Sequence, residues 1–164
     1  MTYPCKMILL SFLLLPLCIH ATSLKQLPEA TLVNFHNSET ITTEQLKGKV
    51  VYLDFWASWC KPCKKSFPFM NQLKQRYPSD KFQIIAINMD ESKQDAIRFL
   101  DKMPAQFGIF QNPNNTLASE LKLPGLPVAY IIDKNGEIVA KHTGFNDSKK
   151  KKKLKQLDYL MEQP

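Results

Sequence analysis

Apolar positions fall along the chain in two rhythms, and the change between them marks the elements. Val50-Val-Tyr-Leu-Asp-Phe55 is a near-continuous apolar, β-rich run, the pattern of a strand buried on both faces of an open sheet. From Cys60 the spacing becomes helical: Phe67, Met70, Leu73 and Tyr77 recur on one face, Lys64, Lys65, Lys74 and Arg76 supply the wet side, and Pro78 stops the helix. Phe82–Asn88 reads as a second core strand, 92–102 as a helix with Ile97 and Leu100 inward, and Phe107–Phe110 as a short strand. Asn112-Pro-Asn-Asn115 is a loop, followed by a short helix from Thr116 to Leu121. Val128–Ile132 and Ile138–Thr143, joined by Asp133-Lys-Asn-Gly136, form a hairpin, and a last helix over 148–161 buries Leu154, Leu157, Leu160 and Met161. Upstream, Thr31–Phe35 and the polar stretch to Lys49 suggest an edge strand or hairpin.

Strands alternating with helices, then a hairpin and a helix, predict an α/β fold with a central mixed sheet. At 164 residues and 44% hydrophobic composition the chain has material for one core, and no internal repeat suggests a second. The start of the chain is excluded from that core. Lys6 precedes the apolar run Met7–Ile19, too short for a typical spanning helix, and the small residues Ala21-Thr-Ser23 end it. This is the pattern of a secretory signal peptide over 1–23, leaving one domain over 24–164; an uncleaved membrane anchor is the rival reading.

The formal charge of +7 changes little. Lys6, Lys149–Lys153 and Lys155 account for all of it, so the basicity is local to one terminal segment with no nucleic-acid module around it. A solvated helix face is the default reading of Lys149–Lys153, and peripheral contact with an anionic membrane or an acidic partner is the alternative.

Cysteine usage changes the picture most. Removing 1–23 takes Cys5 and Cys18 and leaves only Cys60 and Cys63, in Cys-Lys-Pro-Cys. In an oxidising compartment a lone pair two residues apart reads as a redox device, since a staple would close a longer loop. A zinc site needs two more ligands, and His36 and His142 lack ligand spacing, so no metal or other cofactor is expected. At a strand-to-helix junction the first sulfur meets the helix N-terminus, which favours its thiolate. Cys60 is therefore the expected nucleophile and Cys63, one turn further in, the resolving thiol.

Asp54-Phe-Trp-Ala-Ser-Trp-Cys-Lys-Pro-Cys63 resembles the active-site segment of thioredoxins. With Pro68 inside the first helix, Gly125-Leu-Pro127 before a strand, Asp133-Lys-Asn-Gly136 in the hairpin, and room between Asn88 and Pro127 for an extra helix and strand, the chain resembles the exported TlpA/ResA branch over about residues 30–160. The resemblance implies a thioredoxin fold and a redox-active Cys60–Cys63 disulfide. It also implies a cis Pro127 facing the cysteines, with the Leu126 backbone free to pair with an extended substrate, and Trp59 shaping the surface there. ResA-like reductases often carry an acid three positions after the second cysteine, where this chain has Ser66; Asp54, at the buried-acid position of thioredoxins, is the expected proton-transfer group. An aspartate in so apolar a strand is desolvated, which raises its pKa and suits it to exchange a proton with Cys63; a hydrogen-bonded structural aspartate is the alternative.

The implied activity is thiol:disulfide exchange on protein disulfides in the periplasm or another extracytoplasmic compartment. Reduction is the direction the resemblance favours, with apocytochrome c cysteines among the candidate substrates and a membrane thiol donor as recycling partner. A disulfide-donating oxidase and a non-enzymatic thiol metal carrier are the competing readings.

Overall fold

A computed structural model describes residues 25–163, so the apolar leader, its cleavage point, Cys5 and Cys18 lie outside the described residues. In chain order the elements are β1 (Lys25–Gln26), β2 (Thr31–Asn34), β3 (Thr40–Thr42), β4 (Val50–Trp56), α1 (Lys61–Arg76), β5 (Phe82–Asn88) and α2 (Lys93–Lys102). There follow β6 (Gly108–Gln111), α3 (Thr116–Glu120), β7 (Val128–Ile132), β8 (Glu137–Thr143) and α4 (Asp147–Glu162). One eight-stranded mixed sheet runs in the order β1-β8-β7-β4-β5-β6-β2-β3. β4 is parallel to β5 and antiparallel to β7, and all seven of its residues are buried. This is the mixed-sheet α/β architecture of a thioredoxin fold, with α2, β6 and α3 occupying the long stretch between β5 and β7.

The period-two alternation of β4 gives each sheet face its own core. Val50, Tyr52 and Trp56 face α1, α2 and α4 through Phe67, Met70, Leu73, Phe99 and Leu157, while Val51, Leu53 and Phe55 face Leu32, Leu117 and Leu121. The stripe of α1 is continuous, Cys63, Ser66, Phe67, Met70 and Leu73 all being buried, and Pro68 falls on its exposed side where water can satisfy the carbonyl it leaves unpaired. Phe67 stands edge-on to Trp56 at 4.8 Å, to Phe99 at 4.9 Å and to Phe107 at 5.4 Å between ring centroids. Such pairs add about 0.5–1.5 kcal/mol each beyond burial, and together they fix the rotation of α1 over β4.

Two helix readings need correcting. In α2 the buried positions are Ala96 and Phe99, with Ile97 and Leu100 only half-buried at the margin, because Phe99 is the residue that meets the Trp56 and Phe67 rings. In α4 the buried residues are Leu157 and Lys153, while Leu154, Leu160 and Met161 are half-buried. Lys153 therefore does not belong to a solvated or membrane-facing run: it is 1% exposed, four residues before Leu157 on the same stripe.

The β7–β8 hairpin closes as its turn residues dictate. Asp133 Oδ1 accepts from the backbone N–H groups of Asn135 and Glu137, both at 2.9 Å, and Gly136 takes φ +84°, a conformation other residues resist.

Candidate active site

At its carboxyl end β4 passes through Ala57-Ser-Trp59 into α1. The passage is clamped: Ser58 donates its N–H and its hydroxyl to the Asp90 carboxylate at 2.9 and 2.8 Å, Asn88 Nδ2 donates to Asp90 at 2.7 Å, and Met89 N–H donates to Trp56 O at 2.8 Å. The sequence reading missed Asp90. Its only signal was position, just past a buried strand beside the cysteine strand, at the edge where open α/β sheets build sites.

Cys60 is the N-cap of α1, and its Sγ accepts the Cys63 N–H at 3.3 Å. The same N–H also donates to Cys60 O at 3.1 Å, so a first-turn amide of α1 is shared between the Cys60 carbonyl and its sulfur, at the helix end that favours negative charge. The two sulfurs are bonded at 2.02 Å, with Cα atoms 5.3 Å apart. Cys60 retains 4% exposure and Cys63 none, so of the two residues only Cys60 keeps any surface.

Asp54 lies on the same face of β4 as Tyr52 and Trp56 and is fully buried. Its register partners are Ala86 on β5 and Ala129 on β7, which bring no donor beside it, and neither carboxylate oxygen has a hydrogen-bond partner. Burial raises its pKa well above the usual carboxylate range, and the Lys153 charge partly opposes that shift. Burial, and then the Asp54 charge, raise the pKa of Tyr52, whose hydroxyl is also unpartnered. The geometry is therefore that of a desolvated carboxyl, without the hydrogen bonds of a structural aspartate. Ser66, the residue at the alternative acid position, donates its hydroxyl to Cys63 O at 2.9 Å.

The Leu126–Pro127 peptide is cis and Pro127 is buried, with its carbonyl accepting the Gly144 N–H at 2.7 Å. Val128 pairs with Phe55, which brings Pro127 to the end of β4 where the cysteine passage begins. Gly125 sits at φ +151°, outside the range of ordinary residues. Trp59, 68% exposed, forms with Met89, Leu123, Gly125 and Leu126 the wall of an open groove of ≈ 490 Å³. Trp56 is packed inside. His142 is buried, its Nε2 2.7 Å from Gln156 Oε1, and burial lowers its pKa. Among the described residues no cluster of three or more His, Cys, Asp or Glu side chains is placed to hold a metal.

Residues 48–138 match the family model described as thioredoxin-like. The chain is 32% identical over 120 residues to a thiol-disulfide oxidoreductase ResA of Bacillus cereus, covering 73% of this chain and 69% of that protein. The chain belongs to the TlpA/ResA-like family of thioredoxin-fold thiol-disulfide oxidoreductases. Its fold matches the crystal structure of a thiol:disulfide interchange protein assigned as DsbE from Chlorobium tepidum, with TM-score 0.78 and 34% identity over 84% of this chain and 96% of that one. It also matches an exposed lipoprotein thioredoxin, Etrx1, of Streptococcus pneumoniae, with TM-score 0.69 and 25% identity over 81% and 100%. Within the TlpA/ResA-like frame, this chain keeps its buried carboxyl on β4 and places a hydroxyl, Ser66, on α1.

Proposed function

We propose that this oxidoreductase reduces protein disulfides in the cell envelope, with Cys60 as nucleophile, Cys63 as resolving thiol and Asp54 as acceptor of the Cys63 proton. The supporting observation is the asymmetry of the pair: Cys60 caps a helix and keeps a trace of exposure, whereas Cys63 is fully buried in the core cluster on the side of β4 that carries the desolvated Asp54 carboxyl. Substrate segments lie in the groove beside Trp59 and pair with the backbone at Leu126, next to cis-Pro127. Apocytochrome c cysteines are candidate substrates, and a membrane thiol donor restores the dithiol. Residues 1–23 act as the export signal for a single domain over 24–164, retained as an anchor if uncleaved.

The direction is tested by the steady-state redox form of the Cys60–Cys63 pair, read by thiol alkylation in intact cells, together with insulin reduction by the purified dithiol. A pair found mostly reduced, and active on insulin, is expected. A pair held mostly oxidised would assign the disulfide-donating role instead.

The exposed cations Lys151, Lys152 and Lys155 remain available to an anionic membrane surface. They are on the outer side of α4, so replacing all three by Gln should change exchange with a small neutral disulfide by less than about fivefold, the scale of exposed charge interactions. A tenfold loss with the fold intact would bring that surface into the working site.

A further inference from the structure

Lys153 takes no part in the exchange steps above, yet it is among the largest fully buried side chains of the molecule. A buried charge is costly unless something compensates it. What surrounds it is mainly aromatic: its Nζ lies 4.9 Å from the Phe145 ring centroid and 5.6 Å from that of Tyr52. Tyr52 precedes Asp54 by two residues, so both side chains emerge from the same face of β4. On that face the Asp54 oxygens have no hydrogen-bond partner, and no ion pair within 4.0 Å joins them to Lys153. Lys153 and Asp54 thus reach into one layer between sheet and helix without a direct ion pair between them.

We propose that Lys153 is a positioning residue for thiol-disulfide exchange: α4 carries its ammonium into the layer that holds Tyr52 and Asp54, where it favours the ionised form of the Asp54 carboxyl that takes the Cys63 proton. The proposal rests on the reading of Asp54 as proton acceptor. In the step it serves, the Cys63 S–H proton passes to the Asp54 carboxylate and the Cys63 thiolate attacks Cys60 Sγ of the mixed disulfide. The Cys60–Cys63 bond forms, and the substrate sulfur leaves as thiolate with the bonding pair. The enzyme dithiol is oxidised by two electrons and the substrate disulfide is reduced by two.

The other groups facing this layer do not replace Lys153. Tyr52 from β4 is kept neutral by burial, and Cys63 from α1 is the proton donor. His142 from β8 lies opposite Ala129, in the cross-strand row of Asp54, but burial and the charges of Lys153, Lys152 and Lys149 all favour its neutral form, against the opposing effect of its Gln156 hydrogen bond. Lys149 from α4 donates to Thr143 O at 2.5 Å at the helix end. For the pair itself, burial raises the Asp54 pKa while Lys153 lowers it; burial lowers the Lys153 pKa while Asp54 raises it and Lys149 lowers it further.

The test titrates the Asp54 carboxyl by carbon NMR in the reduced protein, assigned by its loss in Asp54→Asn. Lys153→Met keeps the apolar stem and removes the charge. It should move the Asp54 midpoint up by about one pH unit or more and carry the rising limb of mixed-disulfide resolution with it. Lys153→Arg should retain the wild-type limb. If Lys153→Met does not fold, the reciprocal measurement serves: Asp54→Asn should lower the Lys153 amine midpoint by the same coupling. An unmoved midpoint in either direction overturns the proposal. A moved midpoint in a protein whose resolution rate ignores Asp54→Asn upholds the electrostatic link and overturns the proton-acceptor reading alone.

Discussion

Cys60→Ser is expected to abolish reduction of protein disulfides, and Cys63→Ser to accumulate a mixed disulfide with its substrate. The difference follows from where each sulfur sits. Exchange begins when a thiolate attacks a substrate sulfur, and of the two cysteines only Cys60 keeps any exposure and has a helix N–H directed at its Sγ. A serine hydroxyl at that position is far too basic to ionise near neutral pH, so the first bond never forms. With Cys63→Ser the first bond does form. The variant then lacks the thiol that attacks Cys60 Sγ and releases the substrate, and the linkage persists until an external thiol resolves it. Non-reducing electrophoresis with mass spectrometry of the trapped species reads both outcomes. Equal trapping by the two variants would overturn the assignment of roles.

The Cys60–Cys63 disulfide was legible in the sequence because the pair is contained in four residues at the end of one strand. β4 was legible for the same kind of reason: a buried strand needs apolar residues at every position, so its one carboxyl stood out. The α1 stripe and the Asp133-Lys-Asn-Gly136 turn also carry their instructions locally. What escaped depends on tertiary contact. Ala96, Ile97, Phe99 and Leu100 form an apolar arc too wide to reveal which residue faces inward, and the aromatic ring of Phe67 makes that choice. Asp90 reaches Ser58 across 32 residues, a distance no periodicity encodes. Lys153 was hidden by its neighbours. Counting back from Leu160 and Leu157 by seven and four places it on their stripe, but membership of a lysine run suggested water instead. The cis form of Pro127 could be anticipated only through the resemblance, because a bare X-Pro pair is usually trans.

Asp54→Asn is expected to leave the initial attack by Cys60 intact and to slow release of the mixed disulfide by about 10² to 10⁴, the usual worth of a positioned acid or base. Cys63 is buried, so near neutral pH an acceptor inside the protein takes its proton more readily than solvent does, and the desolvated Asp54 carboxyl is suited to that task. Raising the pH should restore part of the rate, since hydroxide then deprotonates Cys63 without the carboxyl. Stability supplies an independent check, with a definite sign. The folded-state pKa of Asp54 is raised, so its stabilising contribution is full below the unfolded value of about 4 and is lost as pH rises through the folded one. Asparagine does not titrate, so the variant should lose less stability than wild type as pH rises through that window. A hydrogen-bonded structural aspartate would give the reverse, with the variant weakest at neutral pH and both exchange steps affected only through folding. Stopped-flow resolution of the two steps across pH, with denaturant unfolding alongside, separates the cases, and an unchanged release rate would remove Asp54 from the mechanism.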